Sequence, residues 1–222
     1  MSCILHINTA GDVAYVCLSE DDNVLDSRES LFQNQHSSFL QPAIKELLSS
    51  AGKSVDSLAA VSVVNGPGSY TGLRVGLSAA KGICYALNIP LINISTLEWL
   101  AHPYKTSEFQ LIVPMIDARR MEVFTATYDS ELNLVSVPKA LILNEQSFDD
   151  ILGKYKIMFT GSGAKKLPGE IVNIEGVTVT DTNSSCHVQL EIALQLFDKK
   201  DFADLAYVEP FYLKPFHSTI IR

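Results

Sequence analysis

Apolar and polar residues alternate weakly over residues 3–9 and again over 13–18, with the turn-forming step Ala10-Gly11-Asp12 between them. This pattern predicts a β-hairpin. A third strand is predicted over 23–31, after the polar turn Glu20-Asp21-Asp22. The period then lengthens. Phe39, Leu40, Ala43, Ile44, Leu47, Leu48 and Ala51 fall on one helical stripe. Ser38 with Gln41 three residues on suits a capping box, and Gly52 suits the position just past the helix end. Pro42 demands a late start or a kinked first turn. A β-branched run over 59–64 reads as a buried parallel strand. Residues 65–69 form the following loop, and 70–87 a helix ended by Asn88 with Pro90 beyond. A strand over 91–94 and a short helix over 95–101, capped by Ser95 or Thr96, complete this stretch.

The second half restarts the pattern. Strands are predicted over 111–116 and 121–128, joined by the turn Asp117-Ala-Arg-Arg120, and again over 134–137 and 140–143. A helix near 146–152, a strand over 156–160, a turn at Gly161-Ser-Gly163 into a short helix, and a helix over 190–199 follow. The tail from Val208 is extended and broken by Pro210 and Pro215. The polar segment 102–110, with Pro103, is the expected boundary, giving domains 1–103 and 104–222. Each half opens with hairpin strands and turns to helix and strand, so two copies of one α/β unit are expected, without internal sequence identity. Hairpins and crossovers together require mixed sheets.

The 222 residues are 47% hydrophobic and 19% charged, a globular composition. A chain of this length buries about 70% of its unfolded surface without disulfide or metal staples. No run of 18 apolar residues predicts a membrane helix, and the start Met-Ser-Cys-Ile-Leu-His lacks a basic leader, so a cytoplasmic protein is expected. The net charge of −8 argues against a free-standing nucleic-acid binder. Cys3, Cys17, Cys84 and Cys186 lack ligand spacing and read as reduced thiols.

The loop Gly66-Pro-Gly-Ser-Tyr-Thr-Gly72 carries the strongest local signal. It is neither a P-loop nor a dinucleotide fingerprint. A glycine-rich turn into a helix offers N–H groups to an anion. A tight turn that packs the helix onto its sheet explains the same residues. Within the helix Gly72, Gly76 and Ala80 recur every four residues, with Ala79 beside them. Two interior glycines each cost about 1 kcal/mol relative to alanine, which points to a close neighbour: the adjacent helix, the home sheet or a second subunit. The wide stripe over 39–51 would mark an interface where it is exposed. His6, His36, His102, His187 and His217 lack metal-ligand spacing, and Ser162 has no evident base. Asp117, Arg119, Arg120 and Glu122 surround one turn, which a hairpin with crossed salt bridges explains.

Residues 61–82, V-S-V-V-N-G-P-G-S-Y-T-G-L-R-V-G-L-S-A-A-K-G, together with I-P-L-I-N-I-S-T-L-E-W-L-A over 89–101, resemble the TsaB (YeaZ) family. So do the block Asp117-Ala-Arg-Arg-Met-Glu-Val-Phe124, the His36-Ser pair, Gly161-Ser-Gly-Ala164 and the closing Pro210-Phe-Tyr-Leu-Lys214. The resemblance implies an actin-like (sugar kinase, Hsp70) α/β fold of two tandem RNase H-like domains. It also implies a role in forming N6-threonylcarbamoyladenosine at position 37 of tRNA. The expected partners are a TsaD-type catalytic subunit, contacted through the first two long helices, and a TsaE-type ATPase. tRNA is met only through the complex, and a homodimer is expected when the partner is absent.

Catalytic relatives carry His-Met-Glu-Gly-His where this chain has Thr96-Leu97-Glu98-Trp99-Leu100. Neither Thr96 nor Leu100 can replace imidazole at a metal. Asn8-Thr9 stand where nucleotide-splitting members place an aspartate. The resemblance therefore implies a non-catalytic scaffold with no metal and no cofactor bound alone. Phe39, Ala43, Leu47, Tyr70, Gly72, Val75, Gly76, Ala79, Ala80 and Ile83 are its expected interface residues. Asn8, Thr9, Gly66, Gly68 and Ser69 are the expected nucleotide contacts, with ATP or ADP at the interface of the complex. The alternatives are an enzyme of this fold, either nucleotide-using or a peptidase, and a nucleotide-sensing module.

Overall fold

The strands β1 (Cys3–Asn8), β2 (Tyr15–Glu20) and β3 (Asn23–Glu29) form an antiparallel meander, and β4 (Leu58–Val64) and β5 (Leu91–Ile94) join β1 in parallel. The sheet order is β3-β2-β1-β4-β5. The computed structural model describes residues 2–30, 36–181 and 185–214; the predicted strand end at Leu31, and Pro215 and His217, lie outside them. Every residue of β1 is buried, as a continuous apolar run at the centre of a sheet requires, whereas edge strand β3 alternates in and out.

The helices α1 (His36–Ser50) and α2 (Tyr70–Leu87) cover one face of this sheet. Leu40, Ile44, Leu47, Leu77, Ala80 and Cys84 meet Leu5, Ile7, Val16 and Leu18 there. α1 begins two residues ahead of the Ser38 cap suggested by the sequence and runs through Pro42, which lies on its exposed side.

A second sheet contains β6 (Leu111–Asp117), β7 (Glu122–Asp129), β8 (Leu134–Ile142), β9 (Ile157–Thr160) and β10 (Val177–Thr180) in the order β10-β9-β6-β7-β8. Its three leading strands are antiparallel and its last two parallel, so the topology of the first sheet is repeated. Where two strands were expected, β8 is one, passing through Pro138. It is an edge strand, where a missing N–H need break no ladder. Residues 146–152 form successive turns rather than the expected helix, with the amides of Ile151 and Leu152 both bonded to the Phe148 carbonyl. Their apolar members Phe148, Ile151 and Leu152 are anchored to the second core instead.

Each sheet is completed by a helix from the other half. α3 (Thr96–Ala101) follows β5, yet Leu97 and Ala101 pack on Ile112, Ala126 and Tyr128 of the second sheet. The short α4 (Gly169–Val172) precedes β10, and α5 (Cys186–Asp198) follows it. In α5, Ile192 and Ala193 join Ile4, Cys17 and Ile92 on the free face of the first sheet. Trp99 Nε1 donates to the Ser185 carbonyl at 3.1 Å, tying the two exchanged helices together. The tail then bridges β5 through Ala203 N to Leu91 O at 2.9 Å. The helix α5 and the tail as far as Tyr212 thus pack with the first sheet and its helices, while Lys214 reaches Glu122 of the second. The apolar stripe of α5 announced a helix but not which sheet it covers.

A polar network lies inside the first unit. Tyr15 OH donates to Gln189 Oε1 at 2.6 Å, and Gln189 Nε2 donates to Ser62 Oγ at 2.9 Å. The His6 ring bonds Ser62 Oγ through Nδ1 at 2.8 Å and Ser19 Oγ through Nε2 at 2.9 Å. Burial disfavours the imidazolium and pushes the His6 pKa down to about 3. A folded pKa below the unfolded one gives stability that is fully present above pH ~6.5 and is lost as pH falls toward the folded value. His36 and His102 are lowered by burial too, adding with the same sign. Urea unfolding is therefore expected to show stability falling below pH 6.5, by up to about 1.4 kcal/mol per pH unit from His6 alone. The slope between pH 6.5 and 5 should be visibly shallower in His6→Gln; an equal slope would remove His6 as its source.

Candidate functional site

The β1–β2 hairpin, the start of α2, the start of α3 and the tail converge on residues 65–72. Ser69 caps α2 by accepting from Gly72 N at 3.3 Å. Ser69 N donates to Ala10 O at 2.8 Å, and Thr9 Oγ1 donates to Gly72 O at 2.7 Å. Gly66 N donates to Thr96 Oγ1 at 3.1 Å, while Thr96 N donates to Gly66 O at 2.9 Å. From the tail, Phe211 N reaches Asn65 O at 2.8 Å, and Asn65 Nδ2 donates to Glu209 O at 2.8 Å.

The glycines make this convergence possible. A Cβ on Gly76 would press into Thr9 Oγ1, one on Gly72 into the Thr9 carbonyl and one on Gly68 into the Ala10 carbonyl. Gly66, at φ 114°, would place a Cβ 2.5 Å from Phe211 O. Of the three neighbours left open by the sequence, the home sheet is the one these glycines meet. Gly72, Gly76 and Ala80 are buried against their own sheet, as are Ala43 and Leu47 of α1. The expectation that these five face a partner is corrected: their smallness or apolar surface is used inside the chain.

Asn8, Thr9, Gly66, Gly68 and Ser69 do come together, and several of their polar groups are engaged internally. Asn8 Oδ1 accepts from Ala10 N at 3.0 Å, and the amides of Gly66, Ser69 and Gly72 all have partners. An anion at this loop would compete with those internal bonds. Thr96 holds the joint, and Leu100 packs into the core beside Trp99. Between them, burial raises the Glu98 pKa.

What faces outward is a different set. Phe39, Tyr70, Val75, Ala79 and Ile83 are half-buried on the α1–α2 layer. The sequence reading missed three residues of this surface. Arg74 stacks over the Tyr70 ring at 4.0 Å and donates to Tyr212 OH at 2.9 Å, so the tail grips the start of α2. Tyr85 and Tyr207 are each 82% exposed. Lys81, four residues before Tyr85, donates to Val208 O at 3.1 Å. Once Gly72, Gly76 and Ala80 are placed inward, helical spacing puts Arg74, Ser78 and Tyr85 outward, and that signal was available.

At the second hairpin Asp117 pairs with Lys166, and Glu122 pairs with Lys214 at 2.5 Å. Arg119 and Arg120 form the exposed tip, both at positive φ. The crossed salt bridges expected within this turn are replaced by lysines from elsewhere in the chain.

Two tandem five-stranded mixed sheets of one topology, flanked and interlocked by helices, define an actin-like ATPase fold. A solved protein of that fold and unknown function from Bacteroides thetaiotaomicron is similar to this chain at TM-score 0.51 and 9% identity, covering 86% of this chain and 95% of that one. YeaZ from Pseudomonas aeruginosa is more similar, at TM-score 0.80 and 23% identity over 96% of this chain and all of that one. The family model described as TsaD: tRNA N6-adenosine threonylcarbamoyltransferase matches residues 29–167. The "tRNA threonylcarbamoyladenosine biosynthesis protein TsaB" of Bacillus subtilis is 29% identical over 217 residues, 95% of this chain and 93% of the relative. The chain belongs to the TsaD family, and within it is similar over most of its length to proteins named TsaB and YeaZ.

The packed glycine seam predicts that Gly76→Ala destabilises the monomer by about 1–3 kcal/mol, as overpacking does, despite alanine's better helix propensity. In a Thr9→Ala background the same change should be close to neutral. A double-mutant cycle by urea unfolding measures this coupling, and additive effects would refute the contact.

Proposed function

We propose that the protein is the non-catalytic subunit of the complex that forms N6-threonylcarbamoyladenosine at position 37 of tRNA. It binds the TsaD-type transferase through the outward face of α1 and α2 and holds it in an active arrangement. The observation that carries this reading is the row Phe39, Val75, Ala79 and Ile83, apolar and half-exposed on a rigid two-helix layer. Apolar surface of this kind on paired helices suits a partner helix. The naming of its relatives for this biosynthesis supports the pathway.

Thr96 and Leu100, at the positions of the metal-binding histidines in catalytic relatives, serve loop and core packing and support a subunit without its own chemistry. The negative net charge suits contact with tRNA through the complex rather than alone. A TsaE-type ATPase, ATP or ADP at the interface of the complex, a homodimer in the partner's absence and a cytoplasmic site of action complete the proposal. The enzymatic alternative through Asn8 and the glycine loop would need those residues to give up the internal bonds they make.

Light scattering after size exclusion, on this protein alone and mixed with the TsaD-type protein of the same cell, tests the pairing. A new heteromeric peak is expected, and its absence at micromolar concentrations with ATP present would overturn the proposal. Ala79→Glu and Ile83→Glu place charge on the outward face. Each should weaken binding at least about tenfold, near 1.4 kcal/mol, while the monomer stays folded by circular dichroism. Wild-type affinity in both would move the contact elsewhere.

A further inference from the structure

The second sheet carries a groove of about 330 Å³ between the β7–β8 ribbon and the turns over 144–151. Its floor lies where the ladder slips register: Thr125 pairs with Lys139, but Thr127 pairs with Ser136, leaving an extra residue in β8. Bulges of this kind re-aim side chains and are common beside functional sites. Thr127 and Ser136, which pair across the ladder, both line the groove. Thr127 is only 7% exposed, so the groove reaches down to a nearly buried position of the ladder. Lys139 from β8 and Asp150 from the opposite turns also line it, and neither is in an ion pair among the described residues. Phe148 and Ile151 supply an apolar wall.

We propose that this groove is a binding site for a small zwitterion with a short side chain, a free α-amino acid. Lys139 takes the carboxylate and Asp150 the ammonium. The Thr127 and Ser136 hydroxyls take a polar group on the side chain, and Phe148 and Ile151 cover its aliphatic part. The volume falls at the small end of ligand pockets, as a ligand of this size requires. The site is independent of the α1–α2 face, so it stands or falls apart from the partner proposal.

NMR titration of the full chain with L-threonine, L-valine and N-acetyl-L-threonine tests it. Threonine should shift the amides of residues 127, 136, 139 and 146–151 saturably. Valine, its isostere without the hydroxyl, should bind several-fold more weakly. N-acetyl-L-threonine, which lacks the ammonium, should bind at least about tenfold more weakly. Lys139→Met and Asp150→Asn, both at exposed positions, should each weaken threonine binding by a similar factor while leaving the rest of the spectrum in place. Failure of every one of the twenty amino acids to shift these amides at concentrations up to about 10 mM would overturn the proposal. So would threonine binding indifferent to both charge variants, or N-acetyl-L-threonine binding as tightly as threonine.

Discussion

Gln189 sits fully buried, so its side-chain amide must find its hydrogen bonds inside the protein. It does so by reaching β1, β4 and Tyr15 of β2 at once. That requirement fixes α5 on a sheet built from the other end of the chain. With α5 in place, the tail has one route back, along the β5 edge and across α2. The tail in turn holds Asn65 and Gly66, and these set the first turn of α2. The outward face of α2 thus inherits its position from a glutamine on the far side of the sheet.

Most of the fold was legible in the sequence, because period-2 and period-3.6 patterns report directly on which face is buried. The hairpins, the α1 stripe, the long α2 and the repetition of one unit all follow from them. What was hidden depends on pairing between distant segments. The stripe of α5 is satisfied by either sheet, and only the Gln189 bonds choose the first. The glycine series signalled a close neighbour, but Thr9 as that neighbour is a long-range fact. The apolar residues of 146–152 looked helical because spacing cannot distinguish a helix from turns pinned to a core. On the α1–α2 layer, the sequence named both the inward and the outward halves of two helices; burial separates them.

The two sheets share a topology and differ in what decorates them. The first carries helices of 15 and 18 residues between its strands, while the second has a chain of turns and a four-residue helix in the corresponding connections. A rigid, broad helical layer therefore exists on one side only. The sparser second sheet leaves its β7–β8 ribbon uncovered enough to form a groove. One fold, used twice, supplies a broad helical layer in the first unit and a grooved surface in the second.

The exchange of α3 and α5 has a consequence for synthesis. Tyr15 and Gln189 lie 174 residues apart in sequence. A ribosome adding about 5–20 residues per second leaves the free face of the first sheet without its helix for on the order of 10 s after residue 103 is made. During that interval Ile4, Cys17 and Ile92 present an apolar surface to the cell. The nascent chain must either be shielded or fold late, as one body, when its last helix emerges.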